Sequence, residues 1–558
     1  MVCLKTIISA TFAFNAFSVM GVTISTVVTS EISPVASFDP IVDLGYSIYQ
    51  GTRLANGQNQ WLGIRYGAPP IYNNRFRRPQ PPSRTSGIQS AKSFGRVCYG
   101  QGNDVNDLNM LPVFFWLSGG GYIRKANTNY NGTGLVGWTG NNMLFVSINY
   151  RVGPFGFLAS QKVRANGNLN AGLYDQRAAL EWVQDHITKF GGDPNRVVLV
   201  GESAGAGSIA LHLITRTDLR GNLFAGIFGL SPFFPSQFFP SDLEWQFNKF
   251  AQLAGCGSAT DQLACLRSQP GDTLQRANIN MAFPGRPGPA LTTWSPTIDG
   301  DLVPDIPFKL FLEGRFRAVP SIWGVDTDEG TLFAPNASTL SEVQSFLQNN
   351  YPRLTNPDLS RILPQYQGLP PRARWAPYFP AGAESYADVT FNCPGLALSS
   401  LIARAGAPTW KYRYNVPTIR GITDNTGVYH MAELPLLFGL GNTPLPDPGP
   451  AARPIQPVLQ TYYTNFVRFL DPNRGLAIPI FWPRWTVQSP LVSPSRLVFQ
   501  VNNMITEPIS YYGVQKGVLK NATLSNVLHF AERTSSKRYN LKLSSSTGSC
   551  ASGGAKAR

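Results

Sequence analysis

The segment RVVLVGESAGAGS, Arg196–Ser208, predicts a strand, a sharp turn and the start of a helix in succession. Its first part, Arg196–Val200, is an apolar run of the length of a buried strand, and it leads directly into Gly201–Gly205. We predict a helix over Ala206–Thr215 behind this turn. Glycines at both ends of a Gly-x-Ser-x-Gly motif allow a tight strand-to-helix turn that lifts the serine clear of the sheet. Ser203 is therefore the candidate nucleophile.

The segments around this turn predict an α/β protein. A bare Gly-x-Ser-x-Gly motif also fits a structural glycine turn, but here an apolar run precedes it and a helical pattern follows. Leu173–Phe190 has apolar residues at helical spacing and stops at a Gly-Gly-Asp-Pro turn. We expect a mostly parallel central sheet with helices on both faces. Further strand candidates are Val113–Leu117, Met143–Ile148, Val319–Val325 and Thr409–Tyr414.

A serine hydroxyl needs a neighbouring base, and the chain has four histidines. With a nucleophile on this kind of turn, the acid and then the histidine follow the serine along the chain. His186 precedes Ser203, His212 follows it too closely, and His529 lies beside a polar tail. His430, in a Gly/Asn-rich loop after the strand candidate at 409–414, is therefore the candidate base.

The acid should follow a strand between the serine and the histidine. The segment SIWGVDTDEGTLF places Asp326, Asp328 and Glu329 after an apolar run. Spacing alone does not choose among the three. The chosen carboxylate would hold the imidazole in the right tautomer and stabilise the imidazolium ion.

Three glycines, Gly119–Gly121, follow the strand candidate at 113–117. Glycines let backbone N–H groups approach a substrate oxygen closely. Together with the N–H of Ala204 they can form an oxyanion hole, in which one donor is typically worth ~3 kcal/mol in the transition state.

The N-terminus has the layout of a secretory signal peptide, which we assign to residues 1–24. A lysine at position 5 precedes an apolar stretch that small residues follow. Polar residues interrupt the stretch and no other segment is apolar for long enough, so we expect a secreted protein without stable membrane insertion. Candidate glycosylation sites in Asn-x-Ser/Thr sequences are Asn131, Asn336 and Asn521.

The formal net charge of +15 does not indicate a nucleic-acid partner. Residues 531–558 form a basic Ser/Gly-rich stretch, which we expect to be a disordered tail. The chain has no Lys/Arg run interleaved with aromatic residues of the kind that binds nucleic acid. The composition favours a single globular domain over residues 40–530 with a mildly basic surface.

Six cysteines are present, and none of their spacings is typical of a zinc site. Cys256 and Cys265 flank a short polar segment that an oxidising compartment would close into a surface loop. Cys3 lies in the leader, whereas Cys98, Cys393 and Cys550 have no obvious partner. We expect neither a metal nor an organic cofactor.

With these residues assembled, the chain resembles the type-B carboxylesterase/lipase family, which includes cholinesterases and secreted fungal lipases, from about residue 41 to about residue 515. The strongest block is Asn168–Ser208; other matching segments are RFRRPQPP, LPVFFWLSGGGY, SINYRVGPFGFL, WSPTIDGDLVPD, GVDTDEGT and YHMAELPLLFG. The resemblance implies an α/β-hydrolase fold and hydrolysis of a small-molecule or lipid ester. It implies Ser203, Glu329 and His430 as the triad, Gly120, Gly121 and Ala204 as oxyanion donors, and a Cys256–Cys265 disulfide.

The chain departs from this family between Cys98 and Leu111. Similar proteins have a disulfide-closed loop and an extra strand there, whereas this chain has only YGQGNDVNDLNM. We therefore expect the loop, the second cysteine and one strand of the sheet to be missing. Two alternatives to an active secreted esterase stay open: a non-catalytic cholinesterase-like binding domain, and an inactive product that lacks an exon.

Overall fold

The computed structural model describes residues 39–54, 57–93, 111–124, 130–215, 221–486 and 494–509. Several sequence predictions concern residues outside these ranges: the signal peptide over 1–24, the missing strand between Cys98 and Leu111, the glycosylation site at Asn521, His529 and the tail over 531–558.

Thirteen strands are formed by the described residues, and eight of them make the central sheet. The strands are β1 Ile41–Asp43, β2 Ile48–Gln50, β3 Thr52–Arg53, β4 Asn59–Gln60, β5 Ile88–Ser90, β6 Val113–Leu117, β7 Leu144–Ser147, β8 Val197–Glu202, β9 Gly226–Leu230, β10 Ser321–Asp326, β11 Thr409–Tyr414, β12 Ser495–Phe499 and β13 Ile505–Pro508. The order of the central sheet is β13-β12-β11-β10-β9-β8-β6-β7. Its neighbours are parallel except for the antiparallel pair β12–β13, which confirms the predicted mostly parallel sheet.

The register of this sheet brings the key strand ends together. Leu117, the last residue of β6, lies opposite Gly201 of β8, and Glu202 lies opposite Leu230 of β9. The carboxyl ends of parallel strands meet at one edge of a sheet, where ligands of open α/β sheets bind. The glycine loop after β6 and the turn after β8 are therefore neighbours. β1, β2 and β5 form a separate small sheet, and β3 pairs with β4.

Both faces of the central sheet are covered. All five residues of β6 are buried, and alternate side chains enter two different apolar clusters. Phe115 belongs to the cluster on one face, whereas Phe114 and Trp116 pack with Phe438 on the other. Burying one such large side chain contributes about 1.5–3 kcal/mol. The continuous apolar run of β6 reflects this two-sided burial.

Sixteen α-helices flank the strands in the described ranges. They are α1 Thr133–Trp138, α2 Gly153–Phe157, α3 Gln161–Asn166, α4 Ala171–His186, α5 Ala204–Leu213, α6 Glu244–Leu253, α7 Gln262–Ser268, α8 Gly271–Ala277, α9 Pro307–Leu312, α10 Leu340–Asn350, α11 Asn356–Ile362, α12 Phe379–Ala387, α13 Cys393–Arg404, α14 Ile419–Thr423, α15 Leu434–Phe438 and α16 Gln456–Phe469. The predicted helix over 173–190 is α4 followed by a 3₁₀ turn, Ile187–Phe190, and it stops where Gly191 adopts a left-handed φ of 81°.

At the Ser203 turn, the bounds of the strand and of the helix each differ from the prediction by two residues. β8 continues to Glu202, two residues beyond the predicted end, and α5 begins at Ala204, two residues before the predicted start. The reason is that Ser203 alone makes the turn, with φ 56° and ψ −120°, so that no loop residues separate strand from helix.

A disulfide joins Cys256, after α6, to Cys265 in α7, with Cα atoms 5.7 Å apart. Cys393 is an unpaired cysteine at the start of α13. Across the described ranges, the search for a helix with the length and apolar character of a bilayer span finds none.

Candidate active site

Ser203 occupies the sharp turn between β8 and α5. Its φ of 56° lies in the left-handed region, which is uncommon for a residue with a side chain. Its carbonyl oxygen accepts hydrogen bonds from the N–H groups of Gly207, at 2.9 Å, and Phe233, at 3.1 Å. These bonds hold a strained residue in place, as is typical of a functional turn.

The glycines of the motif are required by close packing. A Cβ atom at Gly205 would overlap the carbonyl oxygen of Leu117, and one at Gly201 would lie 2.8 Å from the carbonyl carbon of Gly205. Gly119, in the loop after β6, lies against the same turn, because its Cβ would overlap the Glu202 carboxylate and come 2.8 Å from Ser203 Cβ. The turn and the glycine loop therefore form one packed unit.

His430 lies in the loop between α14 and α15 and is only 2% exposed. Its Nδ1 atom is 2.6 Å from Glu329 Oε2, in hydrogen-bond geometry. Its Nε2 atom lies 2.9 Å from Glu202 Oε1, an ion-pair contact that lacks the geometry of a hydrogen bond. The imidazole thus lies between two carboxylates, and the one at Nε2 belongs to the residue that precedes Ser203.

The three acids that the sequence left open have different partners. Glu329 contacts His430, and its other oxygen accepts from the Asp326 N–H at 2.8 Å. Asp328 pairs with Arg372 and accepts from the Val428 N–H at 2.8 Å. The geometry therefore favours Glu329 as the partner of the base and gives Asp328 a structural contact.

Two further buried acids interact with Glu329, and the sequence analysis gave neither of them a role. Glu202, within the Gly-x-Ser-x-Gly motif, is 1% exposed, and Glu433 is fully buried. Together with Asp326 and Glu329 they form what we call the carboxylate cluster. The motif displayed Glu202, but no sequence signal indicated that its side chain points toward His430.

The cluster controls the electrostatics of the base. Burial by itself lowers the pKa of His430, but the negative charges of Glu202 and Glu329 outweigh it and raise that pKa to about 10. Burial raises the pKa of Glu202, and the neighbouring His430 partly offsets this effect. The site therefore stabilises an imidazolium ion strongly.

Aromatic side chains line the histidine and separate it from solvent. The ring of Phe391 lies 4.6 Å from that of His430, centroid to centroid, and Phe333 lies 5.2 Å away. Phe391 also contacts Phe233, whose N–H binds the Ser203 carbonyl. These rings supply apolar surface beside the nucleophile and keep the dielectric constant low around the carboxylate cluster.

The histidines that the chain order eliminated are placed elsewhere. The Nε2 atom of His212, on α5, donates to Gln176 Oε1 at 2.9 Å, and burial lowers the pKa of His212 to about 3. The ring of His186 packs at an angle against the rings of Tyr46 and Trp182, near the small N-terminal sheet. Neither contacts a member of the carboxylate cluster.

Within the described ranges, the N–H groups of the predicted oxyanion donors donate no hydrogen bond. Gly120 and Gly121 adopt φ values of 109° and 61°, which place the loop in the left-handed region that glycine favours. Tyr150 donates a hydrogen bond to the Ser118 carbonyl at 2.8 Å and so anchors this loop. No group among the described residues accepts a hydrogen bond from the N–H of Gly120, Gly121 or Ala204. Three backbone donors are thus left for a ligand.

Oxygens of Asp326 and Glu329 and a ring nitrogen of His430 lie within 4.8 Å of one another, a spacing that metal ligands share. Each is already engaged: Asp326 Oδ2 accepts from the Met431 N–H, and the Glu329 oxygens accept from Asp326 and His430. These carboxylate oxygens and the ring nitrogen are therefore held by hydrogen bonds within the protein.

Comparison with known proteins places this site in a family. The model of the carboxylesterase family matches residues 39–109 and 102–500. The chain belongs to the carboxylesterase family. It is accordingly a carboxylic ester hydrolase of the α/β-hydrolase fold, and both the predicted family and the predicted fold class are confirmed.

Fungal lipases and esterases are among the carboxylesterases that this chain is similar to. Lipase 2 of Geotrichum candidum is 34% identical over 404 residues, which are 67% of this chain and 69% of that protein. The secreted triacylglycerol lipase LIP1 of Gibberella zeae is 32% identical over 405 residues, 67% of this chain and 66% of that protein. The crystal structure of Aspergillus niger EstA, 38% identical, superposes with a TM-score of 0.82 over 89% of this chain and 98% of that one.

Two candidate glycosylation sites lie in the described part of the carboxylesterase. Asn336 is exposed, although its side-chain oxygen accepts from the Ala376 N–H at 2.6 Å. Asn131 is partly exposed, and its oxygen accepts from the N–H and hydroxyl of Thr133. Their modification stays a prediction.

Proposed function

We propose that this carboxylesterase hydrolyses a small-molecule or lipid ester through Ser203, with His430 as base and Glu329 as the orienting acid. The observation that carries the proposal is the position of His430. Glu329 Oε2 lies 2.6 Å from its Nδ1 atom, while Nε2 lies 2.9 Å from the carboxylate of Glu202, the residue that precedes Ser203.

In the proposed reaction, His430 Nε2 takes the proton of the Ser203 hydroxyl as its oxygen attacks the ester carbonyl. Glu329 keeps the Nδ1 proton in place and stabilises the imidazolium ion. The negative oxygen of the tetrahedral intermediate is bound by the N–H groups of Gly120, Gly121 and Ala204. His430 then protonates the leaving alcohol, and water repeats the cycle on the acyl-enzyme to release the acid.

The decisive experiment is labelling with a fluorophosphonate probe, which reacts with activated serines. We expect stoichiometric labelling at Ser203 and hydrolysis of p-nitrophenyl esters by the same protein. Ser203→Ala should abolish both. The matched control is Ser399→Ala, because Ser399 is a buried serine of α13 whose hydroxyl only bonds back to the Gly395 carbonyl.

The alternatives predict different results. A non-catalytic binding domain would fold with a normal melting temperature and stay unlabelled, and an inactive product that lacks an exon would also melt at low temperature. Ester hydrolysis that survives in Ser203→Ala would remove Ser203 from the mechanism. A panel of p-nitrophenyl esters of increasing chain length would then define the acyl preference.

We further infer that the protein is secreted. Relatives from Gibberella zeae and Botryotinia fuckeliana are named secreted lipases, the first 24 residues have a leader pattern, and the Cys256–Cys265 disulfide suits an oxidising compartment. Expression of the full chain in a fungal host should yield active protein in the medium, with a mature N-terminus near residue 25. Activity found only inside the cells would contradict this inference.

A further inference from the structure

Asp326 and Glu433 are the members of the carboxylate cluster that have no basic partner. They are 1% and 0% exposed. Asp326 Oδ2 accepts from the Met431 N–H at 2.9 Å, and Glu433 Oε1 accepts from the Tyr412 hydroxyl at 3.3 Å. No Lys or Arg of the described residues forms an ion pair with either one.

If both groups were ionised, the remaining oxygen of each would be buried without a hydrogen-bond donor. The two side chains approach each other within hydrogen-bonding reach. Two carboxylates hold no hydrogen to share, so Asp326 Oδ1 and Glu433 Oε2 are each left buried without a partner. A single proton between them would satisfy both atoms and remove the repulsion of two like charges in a dry interior.

The surroundings do not supply a compensating charge. The titratable groups around the pair are Glu202, Glu329, His430, Tyr130, Tyr412, Tyr414 and Tyr463. Three of them are carboxyl or imidazole groups already paired with one another, and four are neutral phenols. The only cationic group of this set, His430, is held between Glu202 and Glu329.

We propose that Asp326 and Glu433 share one proton, and that Asp326 is a positioning residue for the Glu329–His430 pair. This inference rests on the proposed function for its catalytic consequence. The shared proton itself rests on the burial of the pair and on its two oxygens without a hydrogen-bond partner.

The electrostatic environment favours a proton held by this pair. Burial, reinforced by the charges of Glu433 and Glu329, raises the pKa of Asp326 well above its ordinary value. Burial also raises the pKa of Glu433. Both shifts have the same direction, so the buried pair is expected to keep a proton that an exposed pair of carboxyls would lose.

Asp326 contacts both halves of the acid–base pair. Its backbone N–H donates to Glu329 Oε1, and its Oδ2 atom holds the N–H of Met431, the residue after His430. Met431 has a left-handed φ of 75°, a strained conformation that this hydrogen bond helps to retain. Because the pair shares a proton, Asp326 performs this positioning while the pair adds one negative charge near Glu329 instead of two.

Infrared spectroscopy tests the shared proton directly. The difference spectrum of wild type minus Asp326→Asn at neutral pH should contain the carbonyl-stretch band of a protonated carboxyl group. The matched control is Asp328→Asn, which removes an ionised carboxylate paired with Arg372 and should give carboxylate bands only. If the Asp326 difference spectrum contains carboxylate bands only, the proposal is wrong.

Kinetics test the positioning role. Asp326→Ala loses the acceptor for the Met431 N–H and should lower kcat/KM on the order of 10²-fold. Asp326→Asn keeps an oxygen for Met431 and an N–H donor for Glu433 without a charge, so it should recover at least about 10-fold of that loss. An asparagine variant as impaired as the alanine variant would overturn the positioning role of Asp326.

The two hypotheses fail in different ways. If the wild type neither hydrolyses esters nor reacts with the fluorophosphonate probe, the proposed function is wrong, yet the infrared band still reports the shared proton. Ser203→Ala should retain that band, because it leaves the carboxylate cluster intact. If Asp326→Ala does not fold, the infrared comparison and Asp326→Asn alone decide the proposal.

Discussion

The Nε2 atom of His430 lies 2.9 Å from Glu202 Oε1, so the nitrogen assigned to the Ser203 proton faces a second carboxylate. With Glu329 on Nδ1, the imidazole lies between two acids in a buried site. This arrangement stabilises the imidazolium ion that forms during the reaction, but it also favours that ion before the reaction begins. The charges of Glu202 and Glu329 outweigh burial and raise the pKa of His430 to about 10.

The first prediction concerns pH dependence. His430 must be neutral to accept a proton, so a raised pKa moves the rise of kcat/KM with pH toward the alkaline range, above the ~6.5 of an unperturbed histidine. Glu202→Gln removes one of the two charges that raise this pKa, and the rise should move to lower pH by about one to three units. The measurement is the pH profile of kcat/KM on a soluble ester.

The control for this profile is Glu342→Gln, because Glu342 is an exposed acid at the start of α10. It should leave the profile in place. A profile of Glu202→Gln that coincides with the wild type would mean that Glu202 does not act on the base.

The second prediction separates Glu329 from its neighbour Asp328. Glu329→Gln removes the charge that orients His430 and stabilises the imidazolium ion, so kcat should fall by about 10²- to 10⁴-fold. Asp328→Asn breaks the contact with Arg372 and should lower the melting temperature with a much smaller effect on kcat. Steady-state kinetics and thermal melts on both variants check this. If Asp328→Asn is the variant with the larger loss of kcat, the acid is assigned wrongly.

Much of the fold could be predicted because it depends on local patterns. The strand prediction over 409–414 matches β11, and the apolar run 113–117 matches β6. β6 is buried on both sides, so its continuous apolar character is visible in the sequence. β11 instead alternates aromatic residues with Thr409, Lys411 and Arg413. The turn at Ser203 was predicted less well, since a pattern of glycines does not show that a single residue makes the whole reversal.

Chain order and motif restrict the choice of candidate residues to Ser203 and His430, whose catalytic roles stay predictions. The choice among Asp326, Asp328 and Glu329 needed either the resemblance or the structure, because three acids within four positions share one strand end. The contact of Glu202 with His430 and that of Asp326 with Glu433 join segments about one hundred or more residues apart. Such pairings depend on how the loops pack, and no local periodicity encodes them.

The third prediction concerns the disulfide. Cys256 is fully buried, and its bond to Cys265 closes a short loop between α6 and α7. Closing a loop of this size stabilises a protein by about 2–4 kcal/mol, mainly by restricting the unfolded chain. The double variant Cys256→Ser/Cys265→Ser should therefore melt at a lower temperature while keeping the kcat of the folded enzyme. Cys393→Ser is the control, because Cys393 is unpaired. Equal melting temperatures in the double variant and the wild type would contradict the prediction.

The last prediction tests whether the glycine loop is seated on the nucleophile turn. Gly119 does not have a left-handed φ, so Gly119→Ala causes no backbone strain and acts only through its added methyl group. That methyl would overlap the Glu202 carboxylate and lie 2.8 Å from Ser203 Cβ, so either the turn or the loop must shift. A displacement of this kind misaligns Ser203 with the donors of Gly120 and Gly121, and kcat/KM should fall on the order of 10²-fold.

The matched control is Gly137→Ala, since Gly137 is exposed in α1 with nothing within 4 Å of the new methyl. That control should keep full activity and gain up to about 1 kcal/mol of stability from helix propensity. The readouts are kcat/KM, the rate of fluorophosphonate labelling and the melting temperature of both variants. A Gly119→Ala enzyme with wild-type kinetics would mean that the loop does not pack on Ser203 in this way, and the assignment of Gly120 and Gly121 as oxyanion donors would lose its geometric basis.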